Sequence, residues 1–293
     1  MTDPVRVALV VNTRSRTGEA SYARALARLS EHFGQVDGHP VSEPQTLGDV
    51  VRRVVADAPH LLVLGGGDGT ISTNLRHVVG TEVALAVLPL GTANSFARAL
   101  GLPLDLEGAL DVAVGGGRER IDLGFIGQHS FAGCAALGIQ PQIAQTVPDG
   151  LKKRLGRLGY VLWGVWQTAK FRPFRMELEA DGRRHRLRVV EVRIANGAYL
   201  GGTEVVETAR LNDGMLTVQA VLGVTRRRMM ANWILTGLHM AARHETEREF
   251  HFRAGRLTTR PSLPISIDGE VLATTPVELR CEAKALLVVA PEQ

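Results

Sequence analysis

The first third of the chain alternates between two hydrophobic periods. Three aliphatic runs, Val5–Val11, Leu61–Leu64 and Val83–Leu88, are typical of strands buried within a sheet. Around them, apolar residues recur at helical spacing in Tyr22–Phe33, Leu47–Val55, Ile71–Val79, Asn94–Leu100 and Leu106–Val114. This alternation of strands and helices predicts a parallel, Rossmann-like α/β sheet between two layers of helices.

The pattern changes near residue 115. Beyond it, apolar and polar residues alternate strictly, as in Phe174–Ala180 and Phe250–Ala254, and Asp-Gly pairs separate short apolar runs. We therefore predict an α/β domain over residues 1–122 and a mainly antiparallel β-sandwich over residues 123–284. Helix candidates at Leu151–Phe171 and Thr225–Ala242 interrupt the sandwich pattern. The final segment, residues 285–293, is a candidate strand that returns to complete the first domain.

Composition narrows the class of protein. The 293 residues include 34 Lys and Arg against 30 Asp and Glu, and this net charge of +4 excludes a histone-like or acidic-tail protein. Two cysteines, Cys134 and Cys281, make no disulfide framework and favour a reducing compartment. No targeting segment is visible, and the uncharged stretch Met229–Ala242 is shorter than the ~20 residues of a membrane span. We expect a cytoplasmic protein, with peripheral attachment at the inner membrane face left open. We expect no nucleic-acid partner, because the basic residues form no recognisable module.

A glycine-rich turn is the strongest local signal for chemistry. Strand Leu61–Leu64 runs directly into Gly-Gly-Gly-Asp-Gly-Thr, residues 65–70, and then into a helix. Glycines let an anion approach the backbone, and the amides of a helix N-terminus attract it. We predict phosphate binding here by Gly66, Gly67, Asp68, Gly69 and Thr70, with the aspartate organising a water or magnesium ion. The alternative is a tight turn capped by the threonine.

Two further loops are expected at the same edge of the sheet. The strand Val83–Leu88 is followed by a loop that contains Gly91, Thr92 and Asn94, and the first strand is followed by Asn12 and Arg14. Because successive parallel strands end at one edge, the three loops are predicted to form a single nucleotide site. For the Asn94 loop, helix capping without a ligand is an equally good interpretation.

Six segments, in order, resemble the diacylglycerol kinase catalytic-domain family, especially its soluble bacterial lipid kinases. They are Gly66–Thr70, Leu90–Arg98, Arg120–Gly124, Ala195–Gly202, Leu211–Leu216 and Ile267–Glu270. The first segment alone also occurs in NAD kinases and phosphofructokinases, but the ordered set is specific and spans nearly the whole chain.

The resemblance implies a two-domain lipid kinase that holds ATP and its lipid in the cleft between the domains. Asp268 would be the general base that takes the proton from the acceptor hydroxyl, and Glu270 would support it. Asp68 would belong to the catalytic group as well as to the nucleotide site. The acceptor would be diacylglycerol or a related lipid presented at a membrane surface, and a homodimer is left open.

The resemblance also implies magnesium. Asp213, with the backbone oxygens of Arg210 and Met215, would hold a structural Mg²⁺. Asp122 would lie at the domain junction near the catalytic magnesium network. Without the resemblance, Asp213-Gly214 and Asp268-Gly269 would be interpreted as hairpin turns.

Departures from the family pattern keep one alternative open. Ser95 stands where the family usually has Asp, which keeps a helix-capping oxygen but loses a charge, and Glu207–Ala209 stands where the family often has Pro-Asp-Ala. A non-catalytic nucleotide- or lipid-binding regulator is therefore one alternative.

A kinase for a soluble acceptor, as in the NAD kinases, is another. It is disfavoured because the Asn-acidic pair of that family occurs here only as Asn212-Asp213, inside the metal-loop motif.

A basic and aromatic segment is the candidate for membrane contact. A cluster of Lys and Arg at residues 152–157 precedes Trp163 and Trp166, as in interfacial segments, although a helix that buries both tryptophans is the favoured interpretation. The four arginines at positions 183, 184, 186 and 188 are predicted to line a solvated strand face.

Overall fold

The N-terminal part of the chain alternates strands with helices. The computed structural model describes residues 5–14, 18–138, 173–222 and 247–292. The first elements are β1 (Val7–Asn12), α1 (Gly18–Phe33), β2 (Val36–Val41), α2 (Pro44–Ala56), β3 (Leu61–Gly66), α3 (Asp68–Val78), β4 (Ala84–Pro89), α4 (Ser95–Ala99) and α5 (Leu106–Gly115). The helices predicted within residues 151–171 and 225–242, and the segment with Trp163 and Trp166, lie outside the described residues.

Three layers form this part of the molecule, as the sequence predicts. The parallel strands lie in the order β2-β1-β3-β4. Successive side chains of β1 point to opposite faces of the sheet: Ala8 and Val10 pack with α2 and α3, while Val7 and Leu9 pack with α1 and α5. Strand β2 was not predicted. It is an edge strand that contains Gly38 and Pro40, both of which weaken a strand signal.

The C-terminal part is an antiparallel sandwich, which confirms the predicted fold class. Its strands are β5 (Gly117–Ile126), β6 (His129–Phe131), β7 (Cys134–Gly138), β8 (Phe174–Ala180), β9 (Arg183–Ala195), β10 (Tyr199–Leu200), β11 (Thr203–Glu204), β12 (Leu216–Leu222), β13 (Glu247–Phe252), β14 (Ala254–Arg260), β15 (Pro264–Ile267), β16 (Glu270–Thr274) and β17 (Val277–Ala290). The alternate residues of Phe174–Ala180 point into one apolar core, as predicted. None of the described helices is long and apolar enough to span a bilayer.

Two sequence interpretations in the sandwich are wrong. The alternating run Phe250–Ala254 is not one strand, because β13 ends at Phe252 and β14 begins at Ala254, which is exposed. The pair Asp213-Gly214 does not join two paired strands, unlike Asp181-Gly182 and Asp268-Gly269, which are two-residue hairpin loops with positive φ at both positions. A period of two continues across a strand break, so the sequence pattern does not reveal it.

Strand β17 belongs to both halves of the molecule. Its first residues pair with β14, its last residues lie parallel to β4 at Val288, and β5 pairs antiparallel along its length from Leu279 to Ala290. The ladder is irregular between Glu282 and Leu286. The two halves are therefore joined by continuous strands, and the division of the chain at residues 122 and 123 stays a prediction.

Candidate active site

The glycine-rich turn exposes amides at the start of α3. Gly67 is the N-cap residue, and the first helical hydrogen bond is donated by the amide of Ile71 to the Gly67 carbonyl, at 3.0 Å. The amides of Asp68, Gly69 and Thr70 therefore have no acceptor within the helix. Gly69 is exposed, and nothing lies within 4 Å of the position that a Cβ would occupy there. This turn can accommodate an anion against bare backbone.

The loops after β3 and β4 touch each other. A Cβ added to Gly91 would lie 2.6 Å from the Cα of Gly67, so this approach requires glycine. The amide of Leu90 donates to the Gly66 carbonyl at 3.0 Å, and the amide of Phe96 donates to Asp68 Oδ1 at 3.2 Å. The structure thus places the two glycine loops side by side, with the Asp68 carboxylate between them.

Asn94 shapes the second loop from within. It has a left-handed backbone, with φ of 49°, and is 7% exposed. Its Oδ1 accepts from the Gly91 amide at 2.9 Å, and its Nδ2 donates to the carbonyls of Gly91 and Pro89. It is the N-cap residue of α4, but its side chain bonds the loop and does not cap the helix. Gly91 and Thr92 remain exposed at the tip of the loop.

Asn12 joins the end of β1 to the glycine turn. Its Nδ2 donates to Thr70 Oγ1 at 3.3 Å, and its Oδ1 accepts from the Arg14 amide at 3.2 Å. Arg14 is exposed at the beginning of the loop that follows. The three loops that the sequence predicts at one edge of the sheet are therefore connected by hydrogen bonds or direct contact.

Asp268 reaches this edge from the sandwich. It lies with Gly269 in the turn between β15 and β16, where both residues have positive φ. The half-buried carboxylate accepts at Oδ2 a short hydrogen bond from the Ser72 hydroxyl of α3. A Cβ added to Gly133 would lie 3.1 Å from Asp268 Oδ1, so the glycine makes room for the carboxylate.

The surroundings of Asp268 raise its pKa to about 6. Burial is the main cause, and the negative charges of Asp68 and Glu270 act in the same direction, while the hydrogen bond from Ser72 lowers the pKa. A carboxylate with this pKa is deprotonated at neutral pH and is a stronger base than an ordinary aspartate. Glu270 is exposed at the start of β16.

Ser72 and Gly133 are site residues that the sequence analysis missed. Ser72 lies one helical turn after Asp68, so the spacing of four residues places both on one face of α3. This spacing could indicate Ser72 as a site residue only if the turn at Asp268 were known to lie against α3. No local sequence feature indicates that Gly133 belongs to the site.

Asp122 connects three parts of the chain. This buried residue of β5 accepts at Oδ2 from the Gly214 amide at 2.6 Å and at Oδ1 from the Lys284 amide at 2.8 Å. Its own amide donates to the Leu211 carbonyl. Both carboxylate oxygens are thus engaged by backbone groups, which ties the loop before β12 to the irregular segment of β17.

Asp213 is exposed in the loop that Asp122 holds. Its Oδ1 accepts from the Met215 amide at 2.9 Å, and the Arg210 guanidinium donates to the carbonyls of Glu207 and Ala209. Among the residues that the structure describes, no group of three or more His, Cys, Asp and Glu lies close enough together to hold a metal ion. Asp122 and Asp213 therefore do not form a carboxylate cluster with Asp68.

Ser95 does not act as the predicted helix-capping oxygen. It is the first residue of α4, and its Oγ accepts from the Gly202 amide of the sandwich at 3.0 Å. Gly202 itself packs closely on Ala93, since a Cβ there would lie 3.0 Å from the Ala93 carbonyl oxygen. The serine hydroxyl thus contributes to the contact between the two halves beside the second glycine loop.

Comparison with known proteins places this arrangement in a family. The profile described as "Diacylglycerol kinase catalytic domain" matches residues 6–126, and the one described as "YegS C-terminal NAD kinase beta sandwich-like domain" matches residues 133–290. The chain is 28% identical over 302 residues to a diacylglycerol kinase of Bacillus subtilis (strain 168), covering 98% of this chain and 97% of that protein. It is 31% identical over 254 residues to the protein named "Probable lipid kinase YegS-like" of Pseudomonas putida, covering 82% of this chain and 81% of that one.

A solved structure has the same fold. The crystal structure of a diacylglycerol kinase from Bacillus anthracis str. Sterne matches with a TM-score of 0.81 at 19% identity, covering 99% of this chain and 98% of that one. Both halves of the chain are matched by the two family profiles, in the order that the sequence motifs predict. The chain therefore belongs to the family of diacylglycerol kinases and YegS-like lipid kinases.

Proposed function

We propose that this protein transfers the γ-phosphoryl group of ATP to a hydroxyl of diacylglycerol or a related lipid, with Asp268 as the general base. The observation that carries the proposal is the position of this carboxylate. It has a pKa of about 6, it is hydrogen-bonded to the helix that follows the glycine turn, and the charge of Asp68 acts on it. Phosphoryl transfer needs such a base at the acceptor and fixed donors at the phosphates.

The glycine loops are the part of the site that would hold the nucleotide. Gly66, Gly67, Gly69 and Gly91 present backbone without side chains, and the amides at the start of α3 provide donors for phosphate oxygens. Thr70 and Thr92 add hydroxyls, and the exposed Arg14 adds a positive charge. Asn12 and Asn94 would act by fixing the loops, because their side chains already bond to loop atoms.

The proton of the acceptor hydroxyl would pass to Asp268 as the oxygen attacks phosphorus. Ser72 occupies Oδ2, so Oδ1 is the oxygen to which the proton is assigned. Glu270 would support this role by its negative charge, which raises the pKa of Asp268 and so strengthens the base. Ser72 would position the carboxylate, and its hydrogen bond lowers the pKa of Asp268 and so favours the ionised base.

Magnesium is the metal that the family implies, and the oxygen donors here fit it. Asp68 provides a carboxylate beside the glycine loops. Asp213 provides another in a loop that also carries the backbone carbonyl oxygens of Arg210 and Met215, and such oxygens are ligands for Mg²⁺. Asp122 would contribute by holding that loop. When bound, Mg²⁺ neutralises charge on the transferring phosphoryl group.

Transfer of labelled phosphate from ATP to a lipid tests the proposal. The protein is incubated with ATP and magnesium and with diacylglycerol in detergent micelles or with a bacterial lipid extract, and the products are identified by mass spectrometry. We expect a phosphorylated lipid from the wild type and none from Asp268→Asn, with Asp181→Asn as a matched control in an equivalent Asp-Gly turn. A parallel reaction with NAD as acceptor should yield no NADP. Failure to phosphorylate any lipid, or full activity of Asp268→Asn, would refute the proposal.

A further inference from the structure

A short β-hairpin of the C-terminal half lies against the second glycine loop. It consists of β10 and β11, which pair over two residues each and, among the described strands, form a sheet of their own. Gly201 and Gly202 make its tip, with φ of 60° and 80°, as in two-residue turns that require positive φ at both positions. Because the 199–204 hairpin is not paired with the large sheet, its position depends on the contacts at its base and at its tip.

The base of the 199–204 hairpin lies beside the carboxylate of Asp268. The amides of Asn196 and Gly197, which lead into the hairpin, both donate to the Gly133 carbonyl at 3.0 Å. A Cβ added to Gly133 would lie 3.1 Å from Asp268 Oδ1 and 3.6 Å from the Tyr199 carbonyl oxygen. The chain therefore enters the hairpin directly next to the proposed general base.

The tip of the hairpin is held by Ser95 at the start of α4. The Ser95 hydroxyl oxygen accepts from the Gly202 amide at 3.0 Å, and the residue is 6% exposed. Gly202 also packs on the backbone of Ala93, which belongs to the loop that carries Thr92 and Asn94. Within the part of the chain that the structure describes, the bond from Gly202 to Ser95 is the one hydrogen bond that joins the hairpin to the α/β half.

These contacts separate Ser95 from the binding of ATP or magnesium. Its oxygen is buried and already bonded to the hairpin, and Asp68, which accepts from the neighbouring Phe96 amide, provides the carboxylate at this point. A hydroxyl is a weaker acceptor than the carboxylate that is usual here in the family. The departure at Ser95 therefore bears on the strength of a contact between the two halves.

We infer that Ser95 is a positioning residue for the lipid acceptor, which acts by holding the 199–204 hairpin between the second glycine loop and Asp268. The inference rests on the proposed function, because it takes Asp268 as the base and the glycine loops as the nucleotide site. The acceptor oxygen must lie between these two parts during transfer, and the hairpin spans from one to the other. A displaced hairpin would misplace the acceptor and leave the amides at the start of α3 unchanged.

Three variants of the whole chain test the inference. Ser95→Ala removes the oxygen that binds the hairpin, and Ser95→Thr keeps a hydroxyl. Thr81→Ala is the matched control, because Thr81 Oγ1 also accepts from a backbone amide, that of Val83 at 3.3 Å, but before the start of β4 and therefore at the end of the strand away from the glycine loop. Hydrogen exchange over residues 199–204 is followed by mass spectrometry, binding of ATP with magnesium by calorimetry, and transfer by kinetics with diacylglycerol in neutral detergent micelles.

We expect Ser95→Ala to change the hairpin and the acceptor step together. Loss of one neutral hydrogen bond should speed exchange in the hairpin roughly fivefold. The kcat/KM for diacylglycerol should fall by about the same factor or more, because the acceptor is less well placed. The Kd for ATP should stay within about twofold of the wild type, since no donor to the phosphates is lost. Ser95→Thr and Thr81→Ala should match the wild type in all three measurements.

Several results would overturn the inference. They are unchanged exchange of the hairpin in Ser95→Ala, a loss of ATP affinity as large as the loss in kcat/KM for diacylglycerol, a Ser95→Thr variant that behaves like Ser95→Ala, and the same changes in Thr81→Ala. The second result would assign Ser95 to the nucleotide site, and the last would indicate general loosening of the fold.

The same measurements distinguish this inference from the proposed function. If the wild type phosphorylates no lipid, the proposed function fails and the role in acceptor placement fails with it. Faster exchange of the hairpin with unchanged ATP binding would then still identify Ser95 as the residue that holds the hairpin. If the wild type transfers phosphate normally and Ser95→Ala changes neither exchange nor transfer, only the inference about Ser95 fails.

Discussion

Replacement of Asp268 by asparagine is expected to abolish phosphoryl transfer and to stabilise the fold at neutral pH. Asparagine keeps the size of the side chain, tolerates the φ of 48° in the turn, and still offers an oxygen to the Ser72 hydroxyl. It has no carboxylate to take the proton of the acceptor, and it brings no negative charge next to Asp68. If the variant loses activity but gains stability, the loss comes from removal of the base and not from damage to the fold.

The magnitude follows from the pKa of Asp268. Burial and the charges of Asp68 and Glu270, opposed by the hydrogen bond from Ser72, raise this pKa from 3.8 to about 6 in the folded protein, so the folded state binds the proton more tightly than the unfolded state. The stability of the wild type therefore falls as pH rises from about 4 to about 6, and the cost is constant above that window. A difference of about two units corresponds to ~3 kcal/mol. Because water screens a half-buried carboxylate in part, we expect Asp268→Asn to gain about 2 kcal/mol at neutral pH.

Chemical denaturation at two pH values measures this gain. Linkage predicts that the gain near pH 5 is about half of the gain above pH 7. Asp181→Asn is the control, because Asp181 occupies the same position in an Asp-Gly turn, with φ of 50°, but is exposed. Its free energy of unfolding should change by less than about 0.5 kcal/mol at both pH values.

Two results would contradict this account of the site. If Asp268→Asn is less stable than the wild type at neutral pH, or if its gain does not shrink toward pH 5, the carboxylate is not held in a desolvated environment. If the variant keeps its transfer activity, Asp268 is not the general base, whatever its effect on stability.

Other substitutions separate the remaining roles. Ser72→Ala removes the hydrogen bond that lowers the pKa of the general base, so the acid limb of the pH–rate profile should move to higher pH, and Ser72→Thr should restore it. Gly91→Ala should destabilise the protein by about 1–3 kcal/mol in thermal unfolding, because its Cβ would lie 2.6 Å from the first glycine loop. Gly69→Ala, with nothing within 4 Å, should leave stability nearly unchanged but weaken ATP binding in calorimetry. Asp122→Asn leaves one backbone amide beside a buried side chain without its acceptor and should cost about 1–3 kcal/mol in urea denaturation, more than Asp213→Asn.

Local sequence patterns were enough to predict the central strands and the helices of the α/β part, but not its edge strand β2. The apolar stripes of four predicted helices match α1, α2, α3 and α5, because each stripe faces the sheet and has the helical period. They are Tyr22–Phe33, Leu47–Val55, Ile71–Val79 and Leu106–Val114. Among the described strands, β2 pairs with β1 alone, and it has no continuous apolar run, so its conformation depends on pairing that the sequence does not encode locally. The wrong strand at Phe250–Ala254 has a related cause, since the alternation continues through the exposed Arg253 at the break.

Likewise, parts of the candidate site could be predicted from local sequence and other parts could not. The glycine turn and the hairpin at Asp268 are each visible in a few consecutive residues, but their contact joins positions 72 and 268, which no period relates. The resemblance to lipid kinases pointed to Asp268 as the proposed base but gave no indication of Ser72. It also associated Asp122 with magnesium, which stays a prediction, but gave no indication that both carboxylate oxygens accept hydrogen bonds from backbone amides. Contacts of this kind depend on tertiary packing and are visible only in the folded chain.

The distance between Asp268 and the two glycine loops is set by strands that cross from one half of the molecule to the other. Strand β17 leaves the sandwich beside β14 and ends beside β4, and β5 accompanies it throughout. Asp122 binds the Lys284 amide within the irregular part of this ladder, where the absence of regular pairing would otherwise leave the strands least constrained. Catalysis that depends on positioning requires the reacting groups to be placed to well within 1 Å. A hinge at a flexible linker would not hold Asp268 against α3 to that tolerance, whereas a hydrogen-bonded ladder with a buried carboxylate at its weakest point can.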